Sequence, residues 1–135
     1  MSANRALQPA GWATPVGYAN GMAAEGRIVV TGGQIGWNAD QAFESDDLAD
    51  QVRQTLANVV AVLAEGGAGP GHVVSMTWYL TDVGEYSARL KDVGRAYRDT
   101  MGREFPAMAV VGVTRLVEAR AKVEIQAIAV VPTEE

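Results

Sequence analysis

The chain has 135 residues, 48% of them hydrophobic and 20% charged, with a formal net charge of −5. This is the make-up of a single globular domain large enough to bury a core. Its acidic balance and scattered Lys and Arg argue against nucleic acid as a partner, because phosphate binding needs clustered cations. No Cys is present and His72 is the only His. Disulfides, thiol nucleophiles and thiolate metal sites are therefore excluded, and no ordinary zinc ligand set remains, so neither a metal nor another cofactor is expected.

Residues 1–15 carry Pro, Gly and Ala without period and read as a loose arm of one domain spanning 1–135. Met1 to Pro9 lacks the apolar core of a signal peptide, which points to the cytoplasm. No apolar run approaches the ~20 residues of a membrane span, so no membrane partner is expected. Val16 to Met22 is a candidate short strand, and Gly26 to Thr31 is a stronger, β-branched one. Gly32-Gly33 breaks it, as a bulge or as a place of close backbone approach. Ser45-Asp46-Asp47 is a helix start. Leu48, Val52, Leu56, Val59 and Leu63 then form the stripe of an amphipathic helix, which Gly66-Gly67 ends.

Gly69-Pro70-Gly71-His72 is a turn, and its His reads as a surface loop residue. Val73 to Leu80 alternates as a strand. Tyr86, Leu90, Val93, Tyr97 and Met101 keep helical spacing in a second helix. The basic residues on this helix are mixed with Glu85, Asp92 and Asp99, the pattern of a solvated face. Gly94 inside it costs about 1 kcal/mol relative to Ala and so marks a close packing contact. Ala107 to Val113 is a strand apolar on both faces. Ala121 to Val131 is the last strand, with Lys122, Glu124, Gln126, Ile128 and Val130 on one side.

The order strand-strand-helix-strand-helix-strand-strand predicts an α+β fold: a mixed sheet of five or six strands with two helices on one face. The other face, apolar in part, needs a cover. Subunit contact is the expected cover, with pockets where chains meet; the N-terminal arm is the alternative.

Several strings are similar to signatures of the reactive intermediate deaminase (Rid, YjgF or L-PSP) family. They are Gly17-Tyr18 with Gly21, Thr31-Gly32-Gly33-Gln34-Ile35-Gly36, Gln51 with Leu56 and Asn58, Val73-Val74 with Thr77, Tyr79 and Asp82, Phe105-Pro106-Ala107-Met108, Thr114-Arg115-Leu116, and Val123-Glu124-Ile125-Gln126-Ala127-Ile128-Ala129. The resemblance runs from about Pro15 to Val131. It implies a chorismate-mutase-like fold, a homotrimer built around a barrel of sheets, and small-molecule sites between subunits. It also implies cofactor-free hydrolysis of reactive enamines and imines to ketones with release of ammonia.

Carried over position by position, Tyr18 matches a Tyr that lines the cleft, and Glu124 matches a Glu that positions the hydrolytic water. Gly32 stands where many members have Ser. Arg115 has a family match without a role in carboxylate binding. Met108 stands where the best-known members have the Arg that holds the substrate carboxylate, and the helix Asn of the archetype has no match near Leu90 and Lys91. The chain resembles a divergent branch.

The residues themselves allow this chemistry. Glu124 can act as general base toward water, a contribution of about 10²–10⁴-fold; the alternative is a solvated or ion-paired carboxylate. Tyr18 can donate its phenol or close a wall by stacking, or serve as a core aromatic. Gly32 and Gly33 allow a ligand to approach the backbone, or only bend the sheet. Met108 offers a flexible apolar wall and no charge, so small 2-imino acids are expected to be poor substrates. Trp12, Trp37 and Met22 are candidates to enlarge that wall, and Arg115 or Arg120 to bring a charge from elsewhere. Two further readings stand beside an imine hydrolase: a non-catalytic binding trimer, and an endoribonuclease or translation inhibitor, against which the charge balance argues.

Overall fold

The computed structural model describes residues 4–133. The strands are β1 (Arg5–Leu7), β2 (Gly21–Ala23), β3 (Arg27–Val30), β4 (Gln34–Ile35), β5 (Val73–Leu80), β6 (Ala107–Gly112) and β7 (Val123–Val131). The helices are α1 (Leu48–Glu65), α2 (Val83–Ala88) and α3 (Leu90–Met101). A five-stranded mixed sheet runs β3-β7-β5-β6, with β4 also paired to β7. β7 is antiparallel to β3, β4 and β5, while β5 and β6 are parallel. The α+β class and mixed sheet agree with the expectation from sequence. Among the described residues no helix is long and apolar enough to cross a membrane.

The strand period of two sorts side chains to two faces. Met76, Trp78 and Leu80 of β5 and Val123, Ile125, Ala127 and Ala129 of β7 are buried in the core with Leu48, Val52, Leu56, Val59 and Leu63 of α1 and Val93, Ala96, Tyr97 and Met101 of α3. Each fully buried Leu or Val contributes about 1.5–3 kcal/mol relative to exposure. On the opposite face no element among the described residues covers Ile28, Val30 and Ile128, which are 66%, 60% and 37% exposed. The N-terminal segment, one of the two covers weighed, leaves these residues open.

Three local expectations are corrected. The segment read as a loose arm contains β1, which pairs Arg5, Ala6 and Leu7 with Ala23, Met22 and Gly21 in a separate two-stranded ribbon; that pairing is non-local and leaves no period in so short a stretch. The strand placed at Val16 to Met22 is reduced to Gly21–Ala23, because residues before it turn toward the sheet edge. The second long helix is broken at Arg89, whose φ of −117° and ψ of 22° leave the helical region. The Arg89 guanidinium is drawn to Asp92 at 3.0 Å and to Asp47 at 2.9 Å.

Within the Ser45-Asp46-Asp47 start, Asp47 is the N-cap of α1, accepting from the Asp50 N–H at 3.0 Å. Arg89 beside it holds the Asp47 carboxyl below the usual carboxylate range, aided by the Asp50 N–H. His72 is a satisfied turn residue, its Nδ1 accepting from the Gly69 N–H at 3.0 Å. Buried Gln51 ties three segments together. Its amide donates to the carbonyls of Ser45 and Arg120 at 3.1 and 3.0 Å, and its oxygen accepts from the Lys122 N–H at 2.8 Å. Asn58 donates to the carbonyls of Ile35 and Trp37 at 2.9 and 2.8 Å, which seats β4 on α1.

Candidate active site

The residues singled out in the sequence fall into two groups on opposite faces of the sheet. The first surrounds Glu124. Between the pairs Val30↔Ile128 and Gln34↔Ile125 one strand advances four residues and its partner three, so Thr31-Gly32-Gly33 forms a bulge. Buried Thr31 anchors it: its hydroxyl accepts from the Ala127 N–H at 3.1 Å and its own N–H donates to the Ala127 carbonyl at 3.0 Å. The bulge brings Gly33 against the Glu124 side chain so closely that a Cβ there would lie 2.7 Å from Glu124 Cδ. The glycine pair thus sits at a bulge, and the group that approaches the backbone at Gly33 is the side chain of Glu124. At Gly32, in contrast, a Cβ would meet nothing within 4 Å.

Glu124 is half-buried and pairs across the sheet with Tyr79. Tyr79 donates from its hydroxyl to Gln126 Oε1 at 3.2 Å. No ion pair or hydrogen bond ties up the Glu124 carboxylate among the described residues. It stands on the uncovered face beside Gly33, available to a water or a neighbouring chain.

The second group lies on the helix side, at the edge strand β6. The segment leading into β2 runs along this edge, where the Ala19 N–H donates to the Pro106 carbonyl at 3.0 Å. This places Tyr18 beside Met108, and both line one cavity of about 620 Å³. Met108 pairs with Met76 and Val110 with Trp78, so both point to the helix side. The rest of the wall is largely aromatic and apolar: Trp78, Tyr86, Tyr97 and Phe105, with Leu90 and Val93. Phe105 stacks on Tyr97 with centroids 5.7 Å apart, and Trp78 packs against Tyr97 at 6.3 Å and edge-on against Tyr86 at 6.4 Å. The Tyr97 hydroxyl donates to the Glu104 carbonyl. Burial, then the nearby Glu104 charge, push the Tyr97 phenol well above its usual range, and burial alone raises Tyr86. Both phenols stay protonated at neutral pH.

The other candidates lie elsewhere. Arg115 lines a separate surface cavity with Thr81, Thr114 and Lys122. Arg120 is paired with Asp46 at 2.9 Å and sits over the Phe43 ring at 5.3 Å. Trp37 packs on Phe43 at 5.9 Å, and neither Trp37, Trp12 nor Met22 reaches the Met108 cavity. Met108 brings no charge to the cavity, but Arg98 of α3 forms part of its wall. The sequence reading counted Arg98 with a solvated helix face. The overlooked signal is Gly94 four residues earlier: a Cβ there would come 3.4 Å from Arg98 Nη1.

Comparison with known proteins agrees with this architecture. Residues 10–131 match the endoribonuclease L-PSP family profile. Over 105 residues, covering 78% of this chain and 80% of the relative, the chain is 34% identical to a 2-iminobutanoate/2-iminopropanoate deaminase of Escherichia coli. Among solved structures, the Rid-family protein YyfB of Yersinia pestis superposes with a TM-score of 0.85 at 28% identity, covering 96% of this chain and 99% of that one. TdcF of E. coli, solved with bound serine, gives a TM-score of 0.68 at 30% identity, with 90% and 91% covered. The bulge beneath Glu124 and the cavity around Tyr18 and Met108 thus lie within a shared fold, and the chain belongs to the Rid/YjgF/L-PSP family.

Proposed function

We propose that this protein hydrolyses a reactive enamine or imine to a carbonyl compound and ammonia, without a cofactor, on a substrate other than small 2-imino acids. The observation that carries the reading is the seating of the unpaired Glu124 carboxylate against Gly33, with deaminases among the relatives. An iminium carbon is already electrophilic. Glu124 takes a proton from water as the water oxygen bonds to that carbon. The proton passes to the nitrogen of the resulting carbinolamine. The C–N bond then breaks, ammonia leaves, and the carbonyl forms as the hydroxyl proton is lost. Such a base contributes about 10²–10⁴-fold.

One protomer cannot bring Glu124 to the Tyr18–Met108 cavity, since the sheet separates them. A homotrimer resolves this. The exposed Ile28, Val30 and Ile128 supply an apolar surface for a second copy, and sites form where the Glu124 face of one chain meets the β6 edge of the next. Met108 disfavours small 2-imino acids. A charged hydrogen bond to carboxylate contributes about 1.5–3 kcal/mol, and a thioether supplies none. The wide aromatic wall favours a larger body.

The test is turnover by purified protein of imines generated in situ by an amino-acid oxidase, with Glu124→Ala in parallel. Ketone release above buffer that falls in the variant is expected. No rate above buffer for any imine, charged or neutral, refutes the reading.

A further inference from the structure

We infer that Arg98 is the anion anchor of the Met108 cavity, so that the site takes 2-imino or 2-oxo acids whose side chain is aromatic or bulky and apolar. This rests on the cavity being the substrate site proposed above, and identifies the class of substrate it takes. The carboxylate-binding role has moved from the sheet edge, where Met108 stands, to the helix that roofs the cavity.

Arg98 is the only charged side chain in the cavity wall among the described residues. Unlike Arg53, Arg89 and Arg120, which are held by Asp99, Asp47 and Asp46, its guanidinium has no hydrogen bond or ion pair among the described residues. Helical side chains lean back toward the preceding turn and cover the residue four earlier. Here that residue is Gly94, also in the wall, where a Cβ would lie 3.4 Å from Arg98 Nη1, an ordinary van der Waals contact.

The cavity floor complements the charge. Buried Trp78 and Tyr97, with half-buried Met108 and exposed Phe105, present rings and a thioether to a site of about 620 Å³, far more than a 2-iminopropanoate fills. Trp78 is 3% exposed, and its indole Nε1 is a buried donor with no acceptor among the described residues. An apolar body inside and a carboxylate at the lip match this distribution. A neutral ligand would leave the guanidinium unused, and a small acid would leave the rings uncovered.

The test is calorimetric titration of the full chain with phenylpyruvate, pyruvate and the neutral ketone phenylacetone, in parent, Arg98→Met and Arg98→Lys proteins. Phenylpyruvate is expected to bind the parent more tightly than either of the others. Arg98→Met should weaken phenylpyruvate about tenfold, the scale of a solvent-accessible charged hydrogen bond. Phenylacetone binding should not change, and Arg98→Lys should recover part of the loss. An unchanged phenylpyruvate affinity in Arg98→Met, or no binding by the parent, overturns the anchor. Imine turnover measured on the same proteins separates the two claims. Turnover with an Arg98-independent affinity preserves hydrolysis and removes the anchor. Arg98-dependent binding without turnover of any imine preserves the anchor and removes hydrolysis.

Discussion

Gly33 packs directly against the carboxyl group of Glu124, so closely that position 33 has no room for a Cβ while Glu124 keeps its place. The bulge at Thr31-Gly32-Gly33 is therefore a seat for that side chain as well as a bend in the strand. Gly33→Ala should force the carboxylate to rotate away. Misplacing a catalytic group by an ångström costs about a hundredfold in rate, so the imine-hydrolysis kcat should fall on that scale while the melting temperature stays near the parent's. Full activity in Gly33→Ala would show that the position of Glu124 is not used.

Gly94→Ala should do the reverse on α3. Removing a helix-interior Gly stabilises by about 1 kcal/mol, read by denaturant unfolding. The added methyl would lie 3.4 Å from Arg98 Nη1, an ordinary van der Waals contact, so phenylpyruvate should bind the variant as it binds the parent. A weaker affinity in this variant would show that the guanidinium needs the space over position 94.

Gln51 joins the start of α1 to the backbone just before β7 through its three hydrogen bonds. Gln51→Leu keeps much of the volume and leaves the Lys122 N–H and two carbonyls unpaired. Each buried unpaired group costs about 1–3 kcal/mol, so a loss of several kcal/mol in urea unfolding is expected, together with faster amide exchange at Lys122. A loss below 1 kcal/mol on this scale would mean that water replaces the side chain.

Asp47 predicts an acid dependence. Its folded-state pKa lies below the ordinary value of 3.8, because Arg89 and then the Asp50 N–H stabilise the ionised form. The unfolded chain thus binds the proton more readily, and the stabilisation is complete above about pH 3.8 and lost as pH falls through the lower folded value. Asp47→Ala should cost about 1 kcal/mol at neutral pH, the usual worth of an N-cap. Unfolding curves of parent and variant should draw closer below pH 3.8. A difference independent of pH would exclude a charged role.

The uncovered sheet face predicts assembly. Val30→Asp puts a charge among Ile28, Val30 and Ile128, where a subunit interface would bury it. Sedimentation equilibrium should show a trimer for the parent and a smaller species for the variant. A monomeric parent would refute the intersubunit site.

Elements with a strong period, and the residues that must share one face of them, were legible in the chain alone. Strand Val73–Leu80 and the α1 stripe occur as read, because alternation and three-to-four spacing arise within one element and need no partner. The Glu124 side of β7 was legible for the same reason, and so was the special character of Gly32-Gly33. Tertiary structure alone decided which faces meet. β1 exists through a partner fourteen to eighteen residues away. The helix break at Arg89 accompanies ion pairs to Asp47 across the fold and to Asp92 one turn on. Trp78, Tyr97, Phe105 and Met108 converge on one cavity only once α3 lies over the edge of the sheet. Arg98 shows this most plainly: in one dimension it is a cation among acids on a polar helix, and in the fold it is part of a cavity wall. Charge and pattern are local properties of a chain, whereas a binding site is set by distances between segments that only packing brings together.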